Sequence, residues 1–254
     1  MRLTDIYLLF LRLFLGYVFA SAGLCKLTGG QFGELIGPPT ADMLPGLEGI
    51  WQFLAASQVV VGALVLSGRW ALPGLLALLP LNVGILAYTV GNHWVGTPYI
   101  NGFFLLLNLL ALAAEWPSLR FLVQPEAPAP AAPPRLVLLW PGWRLAFATL
   151  ALLTGATLSA LLGAPVLLTA GLGALGFAAA WGHTLRAPGL NWAERTALAL
   201  PGLAVLNLSV SPLVSPRAGM PALLLGVIGG TAALAIVTGR RWWRWQRTRR
   251  AVTA

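Results

Sequence analysis

Apolar runs about as long as a bilayer is thick follow one another along this chain, and no other feature limits its fold so tightly. They cover roughly residues 5–25, 47–67, 71–91, 98–115, 144–163, 165–185, 194–213 and 219–238. A helix of that length satisfies its own backbone hydrogen bonds inside hydrocarbon. Only 9% of the residues are charged, whereas a water-soluble domain carries about 25%. Barrel strands would leave short alternating segments, and the sequence has none. The expected fold class is therefore all-α, a polytopic helical membrane protein of eight spans.

Between the fourth and fifth spans lies QPEAPAPAAPP, residues 124–134. Proline removes backbone donors and favours extended chain, so this stretch reads as a linker. It suggests four segments: a four-span bundle at 1–118, a Pro/Ala-rich linker at 119–142, a second four-span half at 143–239 and a basic tail at 240–254. ALPGL recurs at 71–75 and 199–203, and Arg12-Leu13 has a counterpart in Arg144-Leu145. Parallel duplication and chance recurrence in a Leu- and Ala-rich chain both explain this.

Charge placement sets the expected orientation. With the N-terminus inside, Arg2, Arg12, Arg69, Arg120, Arg135, Arg144, Arg186, Arg195 and the six arginines from Arg240 to Arg250 are cytoplasmic. That is 14 of the 16 basic residues, with Lys26 and Arg217 outside, as the positive-inside rule requires. An even span count then puts both termini in the cytoplasm, and a bacterial inner membrane is the expected location. The net charge of +9 needs no nucleic acid to explain it. The tail GRRWWRWQRTRR suits anionic cytoplasmic lipid and its headgroup region. Ala20-Ser21-Ala22 resembles a signal-peptidase site; Arg12 interrupts the preceding apolar run, so the segment is read as a retained span.

Polar residues inside these runs are the functional clues. In NGFFLLLNLLALAAEW, Asn101, Asn108 and Glu115 recur every seven residues, a spacing that drifts only about 20° around a helix. Such a stripe turns toward the bundle interior rather than lipid. Arg12, Phe19 and Lys26 form a matching stripe on the first span, with Gly16 and Gly23 beside it. Arg12 and Glu115 fall near the same membrane face, where an ion pair would relieve two costly charges. Gln52, Gln58 and Asn82 add amides at intermediate depth, read as helix-register bonds.

At the outer end, YTVGNHWVGTPYIN brings His93, Tyr99 and Asn101 close in sequence, and Lys26 reaches the same side. The loop after Lys26 holds Glu34, Asp42 and Glu48. A cation, an imidazole, a phenol and amides above a dry bundle could bind a small anion or the carbonyls of a quinone; an ordinary wetted loop is the competing reading. Arg12, Lys26, His93, Tyr99, Asn101 and Asn108 are thus the candidate ligand residues. Cys25 is the only cysteine and His93 and His183 the only histidines. An internal disulfide or a cysteine-pair shuttle is excluded, and no metal or haem site is expected.

LRLFLGYVFASAGLCKL, then QVVVGALVLSGRWALPGLLALL, then GNHW and PYINGFFLLLNLLALA together resemble the DoxX family of bacterial membrane proteins. The resemblance rests on Arg12, Gly16, Phe19, Gly23, Lys26, Gly62, Asn101 and Asn108 and covers about residues 5–116. It implies a four-helix bundle associated with quinone-linked oxidation of sulfur compounds; DoxD relatives are membrane subunits of thiosulfate:quinone oxidoreductase. Typical members lack the four further spans. A redox subunit working with a partner, a structural or assembly subunit, and a carrier for a small solute are the three functional readings.

Overall fold

This computed structural model describes residues 3–33, 46, 48–124, 126, 143–214, 226, 228–230, 232–233, 235–240 and 243. The described chain is helical, without strands: α1 (Leu3–Leu27), α2 (Glu48–Ser67), α3 (Ala71–Gly91), α4 (Thr97–Ala114), α5 (Trp116–Val123), α6 (Trp143–Leu161), α7 (Val166–Leu185) and α8 (Trp192–Val214). All but α5 are long and apolar enough to cross a membrane. Their ends lie within about two residues of the first seven expected spans, because hydropathy registers where hydrocarbon begins and ends.

The eighth expected span, 219–238, is only partly described. Its described residues at 226, 228–230 and 232–233 are helical and pack against α8. Gly226 touches Ala204, and Gly230 touches Pro201, so the residue numbers run in opposite directions. Glu34, Asp42, Arg2, Arg135, Arg217, most of the linker and the tail beyond 243 lie outside the described residues.

Helix α1 is the axis of the molecule. Of its apolar window 83% is buried within the protein, against 28–44% for the other six spans. The reason is glycine. Gly16 of α1 and Gly62 of α2 let the two backbones meet: a Cβ on Gly16 would lie 2.6 Å from Leu66 Cγ, and one on Gly62 would lie 2.7 Å from the Gly16 carbonyl oxygen. Gly23 meets the Ala55 carbonyl two turns further along. Small residues of this kind allow the close contact that dispersion needs inside lipid.

Two apolar cores flank that central pair. One joins Leu8, Leu15 and Phe19 of α1 to Leu75 and Leu78 of α3, Phe104 and Ala111 of α4, and Leu119 of α5. The other joins Leu13, Tyr17 and Leu24 to Leu153 of α6, Phe177 and Trp181 of α7, and Leu198 and Val205 of α8. The two cores therefore share α1 and α2 as a common wall. Polar bonds fix the second core: the Tyr17 hydroxyl lies 3.4 Å from the Val205 carbonyl oxygen, and Trp181 Nε1 donates to Leu198 O at 2.9 Å.

The segment following α1 also reaches the second core. Phe32 is fully buried beside Phe177, and Gly33 N donates to Ser209 O at 3.0 Å. Helix α5 was not expected. It begins after the turn at Glu115, straddles the boundary placed at 118, buries Leu119 and exposes Trp116, Arg120 and Phe121.

Candidate functional site

Lys26 closes α1. Its Nζ donates to the Ala22 carbonyl at 3.2 Å and lies 5.7 Å from the centre of the Trp51 ring. A cation at a helix C-terminus is favoured by the backbone dipole, and an aromatic face adds attraction. Trp51 stands in the first turn of α2, which runs antiparallel to α1, so the two residues meet at one end of the bundle.

Two turns deeper on the same stripe of α2 is Gln58, only 4% exposed. From α3 come Tyr88 and Thr89, and from the turn that follows comes Trp94. Tyr88 packs edge-on against Trp94 at 5.6 Å and tilted against Trp51 at 6.4 Å. Asn101 of α4 donates from Nδ2 to Thr89 Oγ1 at 3.4 Å, a long bond. Below them Phe19 and Phe104 meet at 6.0 Å and close the floor.

These side chains line one cleft, open on one side. Ligand sites typically have apolar walls and a few fixed polar groups. Here the walls are aromatic and the polar groups are Lys26, Gln58, Thr89 and Asn101. Among the described residues, Gln58 Oε1 and Trp51 Nε1 are buried without a hydrogen-bond partner. Aromatic walls of this kind can stack on a flat apolar group.

The candidates proposed from the sequence separate into groups. Lys26 and Asn101 come together in the cleft. Tyr99, two residues before Asn101, is 85% exposed, because two residues along a helix are about 200° apart. His93 occupies the turn after α3 with φ 54°, its N–H bonded to Val90 O at 3.0 Å. It is exposed and serves to end the helix, as a left-handed residue commonly does.

Asn108 lies two turns below Asn101. With its amide oriented to suit both neighbours, it donates to Leu75 O and accepts from Leu79 N, each at 3.2 Å. It thus ties α4 to the backbone of α3 next to Pro80, which lacks a donor of its own. Asn82 is fully buried, and its amide has no hydrogen-bond partner among the described residues. Gln52 is exposed.

Arg12 stands about 21 Å from Lys26 along α1, at the opposite end. It is buried, and its Nη2 donates to Thr184 Oγ1 of α7 at 3.2 Å. Glu115, at the C-terminal cap of α4, is buried too. Between α7 and α8, Asn191 and Glu194 form a reciprocal cap on α8. Asn191 Oδ1 accepts from Glu194 N at 2.9 Å, and Glu194 Oε2 accepts from Asn191 N at 3.0 Å. The N-x-x-E spacing of NWAE signals such a capping box.

Trp51, Tyr88, Thr89 and Trp94 are the cleft residues that sequence reasoning missed. Their aromatic content fits a membrane-interface belt equally well, so only their convergence separates the two roles. Among the described residues, no three His, Cys, Asp or Glu side chains gather as metal ligands do. Comparison with known protein families, curated proteins and solved structures found no match to this chain.

Proposed function

We propose that this protein is a DoxX-like membrane subunit of a quinone-linked oxidoreductase system, with the cleft at the Lys26 end as the quinone site. The observation that carries the reading is the meeting of Lys26, Gln58 and Asn101 with Trp51, Tyr88 and Trp94 in one cleft of an otherwise apolar bundle. The resemblance of residues 5–116 to the DoxX family supports it. A bound quinone supplies a two-electron acceptor. The chain's own residues hold the ring between aromatic faces, set a cation beside an oxygen through Lys26, and keep water from the floor through Phe19 and Phe104. Electrons come from a small anionic donor, such as a sulfur compound, or from a partner subunit.

The same proposal includes an eighth span at 219–238, two four-span halves, an Arg12–Glu115 ion pair and both termini in the cytoplasm of a bacterial cell. The helical residues beyond 226 and the cationic bias of the Arg12 end support the span count and the orientation.

A structural or assembly role is the second reading, favoured by Asn108, whose amide is used for helix-to-helix bonding. The deciding experiment is quenching of tryptophan fluorescence by menadione on detergent-solubilised protein. Saturable quenching, weakened about tenfold or more by Lys26→Ala and by Asn101→Ala, is expected. Absence of saturable binding to the wild type, with firm co-purification of another membrane complex, favours the second reading.

A further inference from the structure

We infer that residues 31–33 are a lid, hinged at Gly30 and fastened to α8 beside Pro212, which closes an apolar slot in the second core and opens while the helices stay folded. The lid stands apart from the cleft at Lys26 and does not depend on what that cleft binds.

Helix α1 stops in a Schellman turn. Gly29 takes a left-handed φ of 61°, with its N–H bonded to Lys26 O at 3.4 Å and the Gly30 N–H bonded to Cys25 O at 2.9 Å. Gly30 is left-handed too, at φ 87°, and a Cβ on either glycine would meet nothing within 4 Å. Two successive glycines in open space make a hinge, because neither side chain nor packing limits their rotation. Beyond it Gln31 is exposed and Phe32 is fully buried. The Phe32 ring fills a slot walled by Leu24, Gly173 and Phe177. It lies 6.0 Å from the Phe177 ring, and a Cβ on Gly173 would come within 2.9 Å of both Leu24 and Phe32.

The fastening is on α8. Pro212 stands inside that helix, has no N–H to give the Leu208 carbonyl four residues back, and crowds it. Ser211 Oγ donates to that carbonyl at 2.8 Å. The backbone of Gly33 lies against the same carbonyl, so that a Cβ at position 33 would collide with Leu208 O. The Gly33 N–H donates to the next carbonyl, Ser209 O, at 3.0 Å. The proline therefore makes part of a helix backbone available for docking, and glycine is the residue that can approach it closely enough.

What holds the lid is slight beside what holds the helices. Among the described residues, one backbone hydrogen bond to α8 and one buried ring secure it, whereas α1 is gripped along its length by both cores. Segments with so few buried contacts open at a free energy below that of global unfolding. Opening withdraws Phe32 and uncovers Leu24, Gly173 and Phe177, leaving an apolar slot of ring size.

Amide hydrogen exchange of the full-length protein in mixed micelles, at rising SDS content, separates lid opening from unfolding. The Gly33 amide should exchange at least about tenfold faster than the amides of α7 around Phe177, at a rate that hardly responds to SDS. Pro212→Ala gives Leu208 O a donor within its own helix and should quicken Gly33 exchange about threefold or more. Pro201→Ala, at the other proline of α8, should leave it unchanged. Gly33→Ala should hold the lid open, with exchange at position 33 rising at least about tenfold while α7 keeps its protection.

Gly33 exchange with the rate and SDS dependence of α7 would make the segment part of the core and overturn the lid, and that wild-type comparison stands even where a variant fails to fold. Equal exchange in Pro212→Ala and Pro201→Ala would remove Pro212 from the fastening. Protection at position 33 undiminished in Gly33→Ala would overturn the lid as well.

Discussion

Arg12 of α1 donates from Nη2 to the hydroxyl of Thr184 on α7 at 3.2 Å, joining residues 172 positions apart in the buried interior. The same hydroxyl donates to Ala180 O at 2.8 Å, so the helix backbone orients it toward the guanidinium. A charge at this depth is tolerated where protein groups replace water around it. Thr184→Val keeps the shape and removes that oxygen. It should lower stability by about 0.6–1.7 kcal/mol, the range of interhelical polar bonds in membranes, in reversible unfolding in mixed micelles. An unchanged midpoint would show that Thr184 contributes nothing to holding Arg12.

The proposed Arg12–Glu115 pair has its own readout. In a double-mutant cycle with Arg12→Gln and Glu115→Gln, a direct pair gives a coupling of about 0.5–3 kcal/mol. The double variant should be more stable than the two single losses added together, because each single change leaves the other charge buried. Strict additivity would sink the pair.

Close approach of α1 and α2 depends on glycine at both faces. Gly62→Leu would drive a side chain against the Gly16 carbonyl and Ala20 N, each 2.7 Å from the first added carbon. Overpacking of that kind costs about 1–3 kcal/mol or more, and this contact is the axis on which both cores rest. Gly84 of α3 has open space around it, so Gly84→Leu should leave the unfolding midpoint within about 0.5 kcal/mol of wild type. Similar behaviour of the two variants would refute a tight α1–α2 seam.

Asn108 and Asn101 should part company experimentally. Asn108→Leu breaks the bonds to Leu75 and Leu79 and should lower stability by about 0.6–1.7 kcal/mol with ring binding retained. Asn101→Ala should weaken menadione binding with a smaller effect on unfolding. Loss of binding in both with equal destabilisation would mean that the two amides serve one structural purpose.

Orientation and span count are open to labelling. In a Cys25→Ser background, single cysteines at Gln31, Val95 and Leu162, all exposed at the Lys26 end, should react with an impermeant maleimide added to intact cells. Cysteines at Arg69 and Arg186, exposed at the other end, should react only after the membrane is opened. A cysteine at Arg240 should behave like the second group if an eighth span returns the chain. Labelling of Arg240→Cys in intact cells would remove that span.

The spans themselves were legible because lipid imposes one requirement on every turn of a helix, and composition reports it turn by turn. The stripe logic succeeded for the same reason: Asn101, Asn108 and Glu115 are all buried, as polar side chains avoiding hydrocarbon must be. Tyr99 could have been set aside from the sequence, since helix geometry places it far around the axis from Asn101. His93 illustrates a different failure, in which nearness along the chain was taken for nearness in the site.

Other outcomes depended on partners distant in sequence. Asn108 and Gln58 are both buried amides on apolar helices, yet one is bonded to a neighbouring backbone and the other lines a cleft. No local pattern separates them, because the difference lies in which helix packs opposite.

The sequence by itself determined that the chain is helical, where its seven described spans begin and end, and which faces avoid lipid, since each is a contest between one side chain and its solvent. Tertiary structure alone decided that α1 is the central helix, that Arg12 is tied to α7, and that Gln58, Trp51, Tyr88 and Trp94 join Lys26 around one cleft. Those arrangements arise from side-chain volumes meeting across helices far apart in the chain, and steric fit between distant segments leaves no periodic trace in either of them.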